Sequence, residues 1–131
     1  MGVKLDIRDE TTSGKVAFEG VLDFPIECIS VRQLIEARVD QEIENYISKN
    51  GSPSYSLFAL TKDEELLNGK KLTPKKWIDP VKQKKIAIHA FENNAFFLLV
   101  NDHQLTELDD TIIITPSTSV TFLKLVPLVG G

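Results

Sequence analysis

The stretch that constrains this chain most begins at Ser30-Val31-Arg32-Gln33. A serine followed three residues later by a glutamine is the pattern of a capping box. The hydroxyl satisfies a free N–H of the first helical turn, and the amide side chain reaches back to the serine N–H. Beyond it Val31, Leu34, Ile35, Val39, Ile43, Tyr46 and Ile47 recur at the spacing of one helix face, while Glu36, Asp40, Glu42 and Glu44 are assigned to the others. The pattern predicts a helix of about 18 residues laid across a sheet. Asn50-Gly51-Ser52-Pro53 supplies its stop.

Two strands are predicted ahead of that helix. Val3, Leu5 and Ile7 alternate with Lys4, Asp6 and Arg8, the period of a half-buried strand. Thr11-Thr12-Ser13-Gly14 provides turn chemistry, and Val16, Phe18 and Val21-Leu22 form the returning arm of a hairpin. Gly20 inside that arm is a candidate bulge. Pro25 ends the arm, because proline cannot donate to a ladder.

After the helix the pattern is less regular. Tyr55 to Leu60 reads either as a short strand or as a packed loop. Thr61-Lys62-Asp63-Glu64 opens a helix in one reading, with Gly69 as its stop; in the other, Asn68-Gly69 turns a hairpin. Asp79-Pro80 is a helix start, with Asp as the cap and Pro at the first position. Val81, Lys84, Lys85, Ile88 and Phe91 follow at helical spacing as far as Asn93-Asn94. Then come an apolar run Phe96 to Val100, a turn at Asn101-Asp102, His103-Gln104-Leu105, a β-branched stretch Thr111 to Thr115, a turn at 116–119, and a final strand Val120 to Leu125. The order strand, strand, helix, helical insertion, strands predicts an α+β domain with a mixed sheet and helices largely on one face.

Composition narrows the function classes. A chain of 131 residues with 42% hydrophobic and 26% charged residues is expected to form one soluble domain. Its apolar runs fall short of the ~20 residues of a membrane helix, and no leader pattern is read at the start. The single Cys28 excludes an intramolecular disulfide and multi-cysteine metal sites, and is itself read as a small buried hydrophobe. A cytoplasmic location is the expectation. The net charge of −4 disfavours nucleic acid as a partner. That charge is uneven: between Lys70 and Lys85 seven lysines stand against Asp79 alone, a local +6 that leaves −10 for the rest. A solvated face explains such a run most simply; partner docking or an acceptor-lysine role comes second. His89 and His103 lack the spacing of metal ligands, so no metal site is expected. Asp109-Asp110 reads as a turn or cap rather than an acid/base pair.

The last six residues, Val126-Pro127-Leu128-Val129-Gly130-Gly131, follow that final strand. Glycine offers a thin, permissive backbone that can thread a slot too narrow for any Cβ. The expected organisation is therefore one domain over 1–125, with an insertion at about 51–95, and a flexible diglycine tail over 126–131. Phe96-Phe97-Leu98-Leu99-Val100-Asn101, then Leu105 and Leu108-Asp109, then Thr115-Pro116-Ser117-Thr118-Ser119-Val120, then Pro127-Leu128-Val129-Gly130-Gly131 carry a further likeness. Together they resemble the C-terminal half of the β-grasp sulfur carriers, the molybdopterin synthase small subunit and its thiamine-pathway relatives. Ubiquitin and the bacterial ubiquitin-like proteins share that fold. The chain differs in its insertion, in Val126-Pro127 where the carriers have paired prolines, and in Lys124 where their last strand has an aromatic residue.

The resemblance implies a β-grasp fold and a carrier or modifier rather than an enzyme. An ATP-using activating enzyme would adenylate the Gly131 carboxylate, and a nucleophile would then displace AMP. The chain would hold no cofactor of its own; ATP belongs to the enzyme, and a conjugating enzyme and a target protein are the further partners implied. A bacterial-type ubiquitin-like modifier is the leading expectation. A sulfur carrier ending in a thiocarboxylate and a non-covalent interaction module are the alternatives. Ordering the tail costs on the order of 1–2 kcal/mol per residue, and burying Val126, Leu128 and Val129 returns roughly 1.5–3 kcal/mol each. The two nearly cancel, so the globule must add affinity, and Phe122 and Leu125 are the residues expected to do so beside Pro127 and Gly130.

Overall fold

The structure, a computed structural model, describes residues 2–48 and 78–125. The helix stop at 50–53, the two readings of 53–77, the lysines before residue 78 and the tail over 126–131 lie outside the described residues. The N-terminal hairpin pairs β1 (Val3–Thr11) with β2 (Val16–Phe24) in antiparallel register. Its turn closes through Thr11 N–H to the Lys15 carbonyl and Gly14 N–H to the Thr11 carbonyl, both at 2.9 Å. Gly14 sits at φ +88°, a conformation that side-chain-bearing residues rarely adopt.

The bulge is not at Gly20. Register steps between Asp9 and Glu10, which pair with Phe18 and Val16, so Ala17 is the extra residue. Gly20 is paired regularly with Ile7, and its lack of a side chain has a packing reason: a Cβ there would lie 2.9 Å from the Phe18 ring.

A short strand β3 (Cys28–Ser30) leads into α1 (Val31–Ser48). The capping box forms as its residues require: Gln33 N–H donates to Ser30 Oγ at 3.1 Å, and Ser30 N–H donates to Gln33 Oε1 at 2.9 Å. Val31, Leu34, Ile35, Val39 and Ile43 are buried as the periodicity predicts. Arg38 and Glu42 are buried with them, so Glu42 lies on the core face and not on the solvent faces. The second described helix, α2 (Pro80–Glu92), is capped by Asp79, which accepts from the N–H groups of Val81 and Lys82. Its buried residues are Gln83, Ala87 and Phe91. The stripe therefore differs from the expected one: Val81 is 61% exposed, and Lys85 faces solvent.

Four more strands follow: β4 (Phe96–Val100), β5 (His103–Leu105), β6 (Thr111–Ile113) and β7 (Ser119–Lys124). Five strands make one mixed sheet in the order β2-β1-β7-β4-β5. Within it β7 runs parallel to β1 and antiparallel to β4. The fold is thus α+β, with a mixed five-stranded sheet and two described helices.

Two local devices hold β7 in register. Asn101 and Asp102 turn β4 into β5 at φ 49° and 70°, and Asn101 Oδ1 accepts the Ser119 N–H at 2.9 Å. Thr118 Oγ1 accepts the Thr115 N–H and donates to the Ile113 carbonyl, each at 2.9 Å, which locks the turn before β7.

A second ladder, β3 with β6, is absent from the sequence expectation. It ties the α1 start to the 108–110 turn, where the Asp110 and Leu108 carbonyls accept from Val31 and Arg32. Asp110 also caps that turn by accepting the Glu107 N–H at 3.2 Å, as the turn reading required. Cys28 in this ladder is exposed, contrary to its reading as a buried hydrophobe, because it pairs with Ile113 on the outward side.

One core joins these elements. Leu5, Ile7, Leu22, Phe24, Leu98, Val120 and Phe122 from the sheet pack with Leu34, Ile35, Val39, Ala87 and Phe91 from the helices. Phe96 links the layers, its ring centroid 5.9 Å from Phe91 and 6.1 Å from Phe122.

Candidate functional site

The feature of interest is where β7 leaves the sheet. A strand parallel to β1 ends beside the far end of β1, so β7 terminates next to the hairpin turn. Thr12 N–H donates to the Lys124 carbonyl at 3.1 Å, and the next residue, Leu125, is 40% exposed. Residues 126–131, including Val126, Pro127, Leu128, Val129, Gly130 and Gly131, lie outside the described residues.

Strand alternation sorts the side chains around this exit into two faces. Val120 and Phe122 point into the core, at 1% and 0% exposure. Phe122 is therefore a core residue and not part of a docking face, because its ring is packed against Phe96. Its neighbour Leu123 takes the outer face, with Phe97 as its cross-strand partner on β4. Leu99, paired with Thr121, continues the same face. Phe97, Leu99 and Leu123 are half-buried and stand outside the core cluster, on the outer face of the sheet. The strip is bordered on β1 by Arg8, whose Nε lies 2.8 Å from Glu10 Oε2 and 3.3 Å from Thr121 Oγ1.

The sequence held the signal for this strip. An apolar run as continuous as Phe96 to Val100 supplies both faces of a strand. Once Val120 and Phe122 are taken as inward, Leu123 must face outward.

Behind the exit, on the core side, lies a buried charge cluster. Asp9 extends the inward row of Leu5 and Ile7, and Arg38 Nη2 meets its Oδ2 at 2.5 Å. Glu42 Oε1, one helical turn on, is 3.5 Å from the same nitrogen. The Phe18 ring closes the cluster from the edge, with its centroid 4.6 Å from the Arg38 guanidinium carbon, within cation–π range.

Among the described residues no group of three or more His, Cys, Asp or Glu side chains gathers as a metal site. His89 and His103 are both exposed. No described helix is long and apolar enough to cross a membrane. Set against protein-family models, curated proteins and solved structures, the chain has no significant match.

Proposed function

We propose that this chain is a ubiquitin-like protein modifier of the β-grasp class, activated at the Gly131 carboxylate and transferred to a nucleophile on a target. The observation that carries the reading is the place of β7. It is the last described strand, lies between β1 and β4, and runs parallel to the N-terminal strand. A helix crosses over between the first hairpin and the later strands. That order supports a β-grasp domain, and it releases the chain at the sheet end carrying Leu125 and the outer strip of Phe97 and Leu123.

The chemistry divides between the chain and its partner. A carboxylate does not react with nucleophiles until one oxygen is made a leaving group, here as a mixed anhydride with phosphate. In the partner enzyme a Gly131 oxygen attacks the α-phosphorus of ATP, pyrophosphate leaves, and an acyl adenylate forms. An enzyme thiol or a target amine then displaces AMP. The cationic groups that stabilise the phosphoryl transfer belong to the enzyme. This chain contributes the thin diglycine, the apolar residues Val126, Leu128 and Val129, and the outer strip that docks the globule. The reading places the protein in the cytoplasm, with an activating enzyme, a conjugating enzyme and a target as partners.

Mass spectrometry of the protein recovered from its host tests the proposal. A peptide branched through Gly131 onto another protein supports the modifier. A terminus heavier by the difference between sulfur and oxygen replaces that reading with the sulfur carrier. A population carrying neither form, in cells where the protein is functional, overturns both and leaves the non-covalent module.

A further inference from the structure

The lysine run of the sequence ends on α2, and its last members differ in what they face. Lys84 is used within the fold: its Nζ lies 3.2 Å from Asp40 Oδ2 on α1. Lys82 and Lys85 are exposed and, among the described residues, have no acidic partner.

Their placement opposes local stability. The partial positive charge at a helix N-terminus disfavours cations in the first turn. That turn of α2 holds Lys82 and no acidic residue. Lys85, three residues on, adds like-charge repulsion. Two local rules are broken here with no contact that offsets either, which marks a surface shaped by something other than folding.

Two apolar residues accompany the lysines. The buried row of α2 is Gln83, Ala87 and Phe91, and Lys84 turns toward α1. On the side left to solvent, Val81, Lys85 and His89 stand four apart, with Lys82 and Ile86 as a second row beside them. All five are exposed, Val81 at 61% and Ile86 at 38%. The surface is the side of the helix and not its end, because the Asp79 carboxylate already accepts from the Val81 and Lys82 N–H groups. Cations and large apolar side chains thus interleave along about 12 Å of helix.

Charge complementarity names what fits. Exposed ion pairs alone are weak, so a partner must match the apolar residues as well as the lysines. A helix carrying carboxylates and leucine-type residues in adjacent rows does both. An anionic membrane is disfavoured: the chain carries −4 overall, α1 presents exposed Asp40 and Glu44 in the same helix layer, and two apolar side chains give little to insert.

We infer that the exposed side of α2 is a docking site for an acidic amphipathic helix of a partner protein, which seats its carboxylates on Lys82 and Lys85 and its apolar residues on Val81 and Ile86. The inference goes beyond the modifier reading and stands without it, since it uses no residue of the tail.

The test uses the full, isotope-labelled chain and two capped peptides, one of repeated Glu-Leu-Ala-Ala and one of repeated Lys-Leu-Ala-Ala. The acidic peptide shifts the amide resonances between Val81 and His89, and the basic one binds at least about tenfold more weakly. Lys82→Glu combined with Lys85→Glu abolishes binding yet leaves the unfolding temperature unchanged or higher, because acids suit the first turn. Lys15→Glu, the same kind of charge change in the hairpin turn, leaves binding within about twofold. Ile86→Ser weakens it, which a purely ionic contact would not show. No shift at about 1 mM acidic peptide, equal binding of the two peptides, shifts confined to residues outside α2, or retained binding in the double variant would overturn the inference. So would tighter binding to phosphatidylserine vesicles than to the peptide, which assigns the face to a membrane. A dimer in sedimentation that the double variant dissolves also overturns it, and assigns the face to a second copy.

Discussion

Arg38 and Asp9 meet inside the protein, Nη2 to Oδ2 at 2.5 Å, at 1% and 0% exposure. Both occupy positions that pattern alone reserves for apolar residues: Asp9 follows Leu5 and Ile7 on the inward row of β1, and Arg38 follows Leu34 and Ile35 on α1. Each charge gives up its hydration, and the mutual attraction offsets that only while both are present. The pair fixes which turn of α1 lies over which residue of β1, next to the bulge.

Arg38→Met removes the cation between two buried carboxylates, Asp9 and Glu42. The expected loss is about 3–5 kcal/mol in urea unfolding. The triple replacement Asp9→Leu, Arg38→Met, Glu42→Leu removes all three charges and is expected to be more stable than the single variant. If the triple variant proves the less stable of the two, desolvated charge is not the source of the loss.

Asn101 gives a second prediction, on the turn that sets the β7 register. Its φ of 49° suits asparagine or glycine, and its Oδ1 holds the Ser119 N–H at 2.9 Å. Asn101→Gly keeps the backbone conformation and loses one hydrogen bond, about 0.5–1.5 kcal/mol. Asn101→Ala loses the bond and adds backbone strain, so it is expected to be the more destabilised by about 1 kcal/mol. Thermal unfolding of the two variants ranks them.

How much of this was legible beforehand depended on whether local chemistry set the element. The capping box at Ser30, the Asp79 cap and the hairpin turn at Gly14 are written in neighbouring residues, and the structure forms each of them. Burial of Glu42 was not legible, because its partner Arg38 is bound in turn to Asp9, 29 residues away. The β3–β6 ladder joins two three-residue strands some 80 positions apart, too short for a period to show. Phe122 was misassigned to the surface for a related reason: a strand's two faces are known only after its neighbours are.

The two sides of β7 separate packing from docking. Phe122, at 0% exposure in the core and packed against Phe96, is expected to cost about 3–5 kcal/mol as Phe122→Ala. Leu123→Ser, on the outer face opposite Phe97, should cost about 1 kcal/mol or less in stability. Under the modifier reading it should nonetheless weaken activation, read as slower ATP–pyrophosphate exchange with an activating enzyme. A Leu123→Ser protein that is activated at the normal rate would remove the outer strip from the docking surface.

Removing Gly130 and Gly131 tests the proposed role of the terminus most directly. The described core, from Leu5 to Phe122, uses neither residue, and the last described main-chain tie to the hairpin is Thr12 to Lys124. The truncated chain is therefore expected to unfold within about 0.5 kcal/mol of the intact one. Under the modifier reading it ends at Val129, whose Cβ blocks the narrow approach to the nucleotide, so adenylation falls by orders of magnitude. A third measurement fixes the cause: Gly131→Ala keeps the length and the carboxylate but adds one methyl group. If the methyl alone abolishes adenylation, the width of the terminus is what the enzyme reads. If it has no effect while truncation does, reach rather than thinness decides, and the diglycine loses its special role.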